Sequence, residues 1–282
     1  MQMTITTDDS LSLNVWRSES NFTTSVIFIN ALGISCAIIA ALSQAVTQRG
    51  ANFITWDRRG FPGSYDDNFR YYGPAHAISD LVTLTTQMAL NDVVLAAWCT
   101  GAQPALGAIA TDAIRPRKLV LFNNPNYFGD GFSGVQGDAI GKISQSIVKD
   151  ERKLDFFYDV IAKASMPLAA TSEAGPDSLS LQQQQQIQAP FISGKQALLR
   201  YAHLICNAGD LQQTRRWCKG VTVPTLLVAS AKDHMVSCQD AQRLSALLPN
   251  ARLEIMPDWG HYSLFSQADQ AADKIITSGE SG

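Results

Sequence analysis

The sequence predicts an α/β fold: a mostly parallel sheet with helices on both faces and a helical cap inserted late in the chain. Three observations carry this. Short runs of apolar and β-branched residues alternate with stretches whose apolar residues recur at helical spacing. The runs are continuous rather than alternating, the pattern of strands buried on both faces. The stretch from 125 to 217 contains no such run.

In chain order, residues 3–7 and 11–17 alternate polar and apolar around Asp8-Asp9-Ser10, which predicts an antiparallel hairpin. The runs "VIFIN" (26–30), "FITWD" (53–57) and "VVLAAW" (93–98) each precede a loop and a helical stretch, at about 34–48, 76–90 and 100–111. "KLVLFNN" (118–124) is a fourth run, and "TLLVAS" (225–230) and "RLEIMP" (252–257) close the sheet. Residues 1–124 and 218–282 are therefore assigned to the core and 125–217 to the cap, which lies over the strand ends where open α/β sheets bind ligands. The glutamine run "LQQQQQIQ" reads as a solvated helix face or loop.

Composition narrows the function classes. The 282 residues are 46% hydrophobic and carry a formal net charge of −3, which gives no bulk electrostatic footprint for nucleic acid. Five cysteines (Cys36, Cys99, Cys206, Cys218 and Cys238) are widely spaced with no C-x-x-C pair, so neither a disulfide framework nor a zinc site is expected. No run approaches the ~18 apolar residues of a membrane span, and the N-terminus lacks a signal-peptide pattern. The expected compartment is the reducing cytoplasm, with no membrane association.

The chemistry starts at "AWCTG", residues 97–101, where a strand ends and a small-residue helix begins. A nucleophile at such a turn has strained backbone angles and needs small residues two places before and after it. Ala97 and Gly101 fill those places, with alanine standing where glycine is usual. The helix N-terminus favours an anion there. A buried core cysteine is the commonest fate of a free thiol, so the partners of Cys99 decide. Asp233 ends the next-to-last strand, and His261 follows Trp259-Gly260 after the last. The order nucleophile, acid, histidine, each just beyond a strand's C-terminal end, assigns Cys99, Asp233 and His261 as a catalytic triad. Asp130 is the alternative acid, while His76, His203 and His234 are assigned no chemistry. Two backbone donors must face the developing oxyanion. Thr100 supplies one, and Leu32, in the loop after "VIFIN", is the candidate for the other. Trp98 and Trp259 are candidates for a substrate pocket. Arg58, Arg59, Arg215, Arg216 and Lys219 are candidates for meeting a phosphate, against the plainer reading of solvated surface charge. Asp57, in "WDRRGFPGS", reads as scaffold.

Over about 3–278 the chain resembles the α/β-hydrolase superfamily, on "AWCTG", the Asp233 strand end, "WGH" and "DRRGFPGS". It departs from the His-Gly of many members at the oxyanion loop, carrying Asn30-Ala31 instead. The cysteine at the elbow resembles dienelactone hydrolases, and also the thioesterase-like aminoacyl and acyl transferases of nonribosomal peptide pathways of the coronamic acid and syringomycin type. The second resemblance implies a Cys99 acyl-enzyme that moves an acyl group between the phosphopantetheine thiols of acyl or peptidyl carrier proteins, with no cofactor or metal of its own. Thiol chemistry points the same way: attack by Cys99 on a thioester yields another thioester, a nearly isoergic and reversible exchange. A cysteine-type thioesterase or ester/lactone hydrolase is the alternative. A non-catalytic binding protein on the same scaffold is the third reading, against which the complete triad argues.

Overall fold

The computed structural model describes residues 1–61, 64, 72–125, 135–164, 178–207 and 211–277. The hairpin forms as expected, with β1 (Gln2–Thr6) antiparallel to β2 (Ser12–Arg17). β3 (Thr24–Ile29), β4 (Asn52–Trp56), β5 (Asp92–Trp98), β6 (Lys118–Phe122), β7 (Thr225–Ser230) and β8 (Ala251–Met256) follow. One eight-stranded sheet results, in the order β1-β2-β4-β3-β5-β6-β7-β8. From β4 to β8 all neighbours are parallel, and β2 joins β4 antiparallel.

The helices are α1 (Ala40–Gln48), α2 (Pro74–Gln87), α3 (Ala102–Ala110), α4 (Val135–Lys149), α5 (Leu154–Ala164), α6 (Leu181–Ile192), α7 (Lys195–Cys206), α8 (Leu211–Gly220), α9 (Cys238–Ser245), α10 (Ser263–Ser266) and α11 (Ala268–Thr277). Alternation along the central strands feeds two cores. Val26 and Phe28 of β3 face Leu42 and Val46 of α1 and Ala272 and Ile275 of α11. Ile27 and Ile29 of the same strand belong to the opposite core with Leu84 of α2, Leu106 of α3 and Leu244 of α9. Both faces of these strands are thus covered, which is why their sequences read as unbroken apolar runs. Edge strand β8 is only half buried and carries charge: Arg252 and Lys274 both pair with Glu254.

Between β6 and β7 the described residues form helices alone. α4, α5 and α7 share an apolar cluster of their own, with Ile147, Leu154, Ile161, Leu198 and Leu199 at its centre. α6 and α7 reach the sheet layer through Ile187 and Leu204. The expected boundary at 217/218 falls inside α8. That helix packs on α3, with Trp217 against Gly107 and the Thr214 hydroxyl accepting from Gln103 Nε2 at 2.9 Å. α8 therefore belongs to the core layer, because its buried face is complementary to a core helix. Cys218 is buried there, as is Cys36 beside α1, whereas Cys206, expected in the core, is exposed at the end of α7. No described helix is long and apolar enough to cross a membrane.

The arginine pair after β4 is internal. Arg59 binds Asp80 of α2 through Nε (2.8 and 2.9 Å) and Nη2 (2.6 Å), and Asp9 of the hairpin turn through Nη1 at 2.6 Å. Arg58 Nη1 donates to the carbonyls of Asn30 and Thr100, both at 3.3 Å. Both arginines are buried, so neither offers a phosphate a surface charge, and the plainer role is structural. Burial pushes the Asp80 carboxyl up while Arg59 holds it down, so removing the guanidinium strands a buried charge. Arg59→Leu is expected to cost about 3–5 kcal/mol in urea unfolding, and the Arg59→Leu/Asp80→Leu double variant to recover most of it.

Candidate active site

The site lies where the strand order reverses. After β3 the chain crosses to β4 on one side, and after β4 it returns to β5 on the other, so the loops leaving β3 and β5 meet at the carboxyl edge of the sheet. β5 ends at Trp98, and Cys99 follows with φ +51°, a left-handed conformation that costs a non-glycine residue on the order of 1–3 kcal/mol. A 3-10 turn, Cys99–Gly101, leads straight into α3. Gly101 is obligatory: a Cβ there would stand 2.2 Å from the Ile29 carbonyl oxygen of the neighbouring strand. Ala97, in place of the usual glycine, is fully buried in the core beside Ala102 and Ala105.

The structure brings Cys99, Asp233 and His261 together. His261 Nδ1 lies 2.7 Å from Asp233 Oδ2. Asp233 Oδ1 accepts the backbone N–H groups of Met235 (2.7 Å) and Val236 (2.8 Å), which fixes the carboxylate. The other imidazole nitrogen is left for Cys99, whose side chain hydrogen-bonds the ring. Burial works against a charged imidazole here, but the Asp233 carboxylate and the Cys99 side chain outweigh it and push the pKa up to about 10. His234 is exposed and His76 and His203 lie on helices, while Asp130 falls outside the described residues. Among the described residues no group of His, Cys, Asp or Glu could hold a metal ion.

A cavity of about 50 Å³ opens in front of Cys99. Leu32, Trp98, Thr100 and His261 line it, as do Ile187, Pro190 and Phe191 of α6 and Tyr201 and Ile205 of α7. Trp98, one of the two pocket candidates, faces the cavity. Trp259 instead is buried in the sheet core with Leu264 and Phe265, because the turn carrying His261 folds its apolar neighbour inward. Thr100 follows the nucleophile in the first helical turn, where N–H groups lack intrahelical partners. The Leu32 amide, however, donates to Thr100 Oγ1 at 2.8 Å, so the expected second oxyanion donor has a partner in this structure. Asn30, which replaces the histidine of the usual loop, ties that loop together: its Nδ2 donates to the Ile34 and Ser35 carbonyls and its Oδ1 accepts from Ala31 N–H. Asp57 is scaffold, accepting from Cys36 N–H and Asn14 Nδ2.

The profile of the alpha/beta hydrolase family matches residues 26–274. The chain belongs to the alpha/beta hydrolase family. It is 22% identical over 268 residues to a pimeloyl-[acyl-carrier protein] methyl ester esterase of Pectobacterium atrosepticum, covering 93% of this chain and 96% of the relative. It is 23% identical to a putative non-heme chloroperoxidase of Synechocystis, over 97% and 98% of the two chains. In structure it is similar to the enol-lactonase from Burkholderia xenovorans LB400, with a TM-score of 0.75, 16% identity and 98% of each chain covered, a likeness of fold.

Within this alpha/beta hydrolase, sequence reasoning missed what holds the histidine from behind. The His261 carbonyl accepts from Trp98 Nε1 and from Asn123 Nδ2, both at 3.1 Å. Asn123 is itself held by Ser230 Oγ at 2.8 Å and adopts φ +46°. The Trp98 ring lies 5.1 Å from the imidazole. The one signal in the sequence was an asparagine pair closing the "KLVLFNN" strand. The cap residues of the cavity were also missed, although Ile187, Pro190 and Phe191 have i, i+3, i+4 spacing, as one helix face requires.

Two outcomes follow from this geometry. Gly101→Ala is expected to lower stability by about 3 kcal/mol or more, because the clash is with backbone and cannot be relieved by a rotamer; thermal unfolding would measure it. His261 has a pKa raised above its ordinary 6.5, so its stabilising contribution is complete below about 6.5 and is lost as pH rises through about 10. Urea unfolding should therefore show stability falling across that window, with a flatter profile in His261→Gln.

Proposed function

We propose that this alpha/beta hydrolase cleaves an ester or thioester through a covalent Cys99 acyl-enzyme. The observation that carries the reading is the relay from Asp233 through His261 to a thiol held at φ +51° on a cavity wall. Cys99 Sγ attacks the acyl carbonyl, forming the S–C bond while the π pair moves to oxygen. The thiol proton is carried by His261 while this bond forms, because its raised pKa favours the imidazolium. As the carbonyl reforms, the bond to the leaving alcohol or thiol breaks and His261 returns the proton to it. Water, deprotonated by the same ring, then releases the acid and restores the thiol. Asp233 holds the ring in the required tautomer and stabilises the imidazolium.

Family membership supports hydrolysis over the carrier-to-carrier transfer that the cysteine resemblance implies, and relatives named as an esterase and an enol-lactonase lean the same way. Transfer remains the second reading on one observation: Cys99 is only 5% exposed, on a cavity wall that α6 and α7 help to line. On that reading the acyl group arrives and leaves on carrier-protein phosphopantetheine.

Incubation with a small acyl thioester should add one acyl mass to the protein, on Cys99. Cys99→Ala should abolish the adduct and lower turnover by about 10³-fold or more. Free acid released at the same rate with or without an added acceptor thiol supports hydrolysis. Acid suppressed in favour of a new thioester would replace it with transfer. No adduct on the wild-type protein would sink both.

A further inference from the structure

The wall facing Cys99 is carbon-rich, built from such residues as Ile34, Ile187 and Ile205; among the described residues the cap contributes one hydroxyl-bearing side chain to it, Tyr201 on α7, and the core contributes Tyr262. The Tyr201 ring is fixed on two sides. It lies over Gly33 of the loop after β3, so closely that a Cβ on Gly33 would stand 2.5 Å from Tyr201 Cδ2. Gly33 also has φ +73°, so the loop is shaped to receive the ring. On the other side Phe191 meets it edge-on, with centroids 4.9 Å apart. No hydrogen bond ties the Tyr201 hydroxyl among the described residues, and the Cys99 side chain is near enough to act on it electrostatically. Burial, assisted by Cys99, pushes the phenol upward, so it stays a neutral O–H donor through the physiological range. Opposite it, the Leu32 amide is engaged by Thr100 Oγ1. The site therefore has one backbone donor occupied and a side-chain donor without a partner, both on the wall around the nucleophile.

We propose that Tyr201 is a catalytic residue that donates a hydrogen bond to the acyl carbonyl oxygen as negative charge develops there during attack by Cys99. This rests on the acyl-enzyme reading above. No proton is transferred: the phenol keeps its O–H bond, the oxyanion collapses back to a carbonyl, and Tyr201 is unchanged at the end of each half-reaction. The cap thereby completes the electrostatic site that the core begins at Thr100, and only substrates whose carbonyl reaches under α7 receive both donors.

Tyr201→Phe keeps the ring against Gly33 and Phe191 and removes only the hydroxyl. Acylation of Cys99 by a small acyl thioester, followed by mass spectrometry, should slow by about 10- to 100-fold. KM should change less than about threefold, and the melting temperature should not move. Iodoacetamide alkylates a thiol by displacement at a CH₂ group and forms no oxyanion, so its rate at Cys99 should be the same in both proteins. The proposal is overturned if Tyr201→Phe acylates at the wild-type rate, or if acylation and alkylation fall together, which would mark a general effect on Cys99 or its packing. Failure of the wild-type protein to acylate while iodoacetamide still labels Cys99 would remove the acyl-enzyme reading itself, and this role with it.

Discussion

Everything in the site hangs on the backbone at Cys99. A left-handed residue at the end of a strand buried from Val93 to Trp98 turns the chain out of the sheet and into a helix within three residues. The turn is possible only because Gly101 lets α3 begin against the carbonyl of Ile29. That approach also brings the loop after β3 beside the nucleophile, which is how the Leu32 amide comes to meet the Thr100 hydroxyl. Arg58 reinforces the junction by donating to the Asn30 and Thr100 carbonyls from beneath. Strain at one residue is thus held by a packed sheet, a buried guanidinium and a glycine without alternatives, a distribution expected where conformation is part of mechanism.

The histidine is positioned by different means. It lies on a loop after edge strand β8, the least buried strand of the parallel set, where local structure offers little rigidity. The core supplies it from the other side: Trp98, the residue before the nucleophile, and Asn123, at the end of β6, both hold the His261 carbonyl. Cys99 and His261 therefore share a support, since the strand that delivers Cys99 also carries the indole that fixes His261. A carboxylate held by two backbone amides completes the alignment. These contacts act on a main-chain oxygen, so they set where the ring begins and not only how it is tilted.

The order of elements and the meeting of Cys99, Asp233 and His261 were legible in the sequence because both follow from local rules. Continuous apolar runs mark strands covered on two faces, and a strand end followed by small residues marks an elbow. What escaped was long-range. Nothing in "WGH" shows that Trp259 turns into the core while Trp98, 161 positions earlier, lies against the histidine. Arg58 and Arg59 read as surface charge because their partners Asn30, Thr100, Asp9 and Asp80 are brought to them only by the completed sheet. Cys206 had apolar neighbours along the chain but ends its helix at the surface. The cap boundary drifted for a similar reason: α8 is polar in composition, yet Thr214, Trp217 and Cys218 give it one face that fits α3.

A thiol in this frame changes the energetics of the second half-reaction more than the first. An acyl group on serine has fallen to the level of an oxygen ester, and water is the natural acceptor. On the proposed reading it would remain a thioester on Cys99, and its fate would depend on which nucleophile reaches it. The cavity wall there is mostly apolar, supplied by α6 and α7 on one side and the β3 loop on the other, and the thiol, imidazole and hydroxyl side chains that line it are those of Cys99, His261, Thr100, Tyr201 and Tyr262. A water molecule admitted to such a space needs hydrogen-bonding partners of its own, and His261 is the group placed to both bind and deprotonate it. On the proposed reading, hydrolysis follows once water reaches this ring, because the group that would bind the water would also activate it. Transfer to a second thiol requires that an acceptor displace this water and approach from the cap side, past Tyr201 and Phe191.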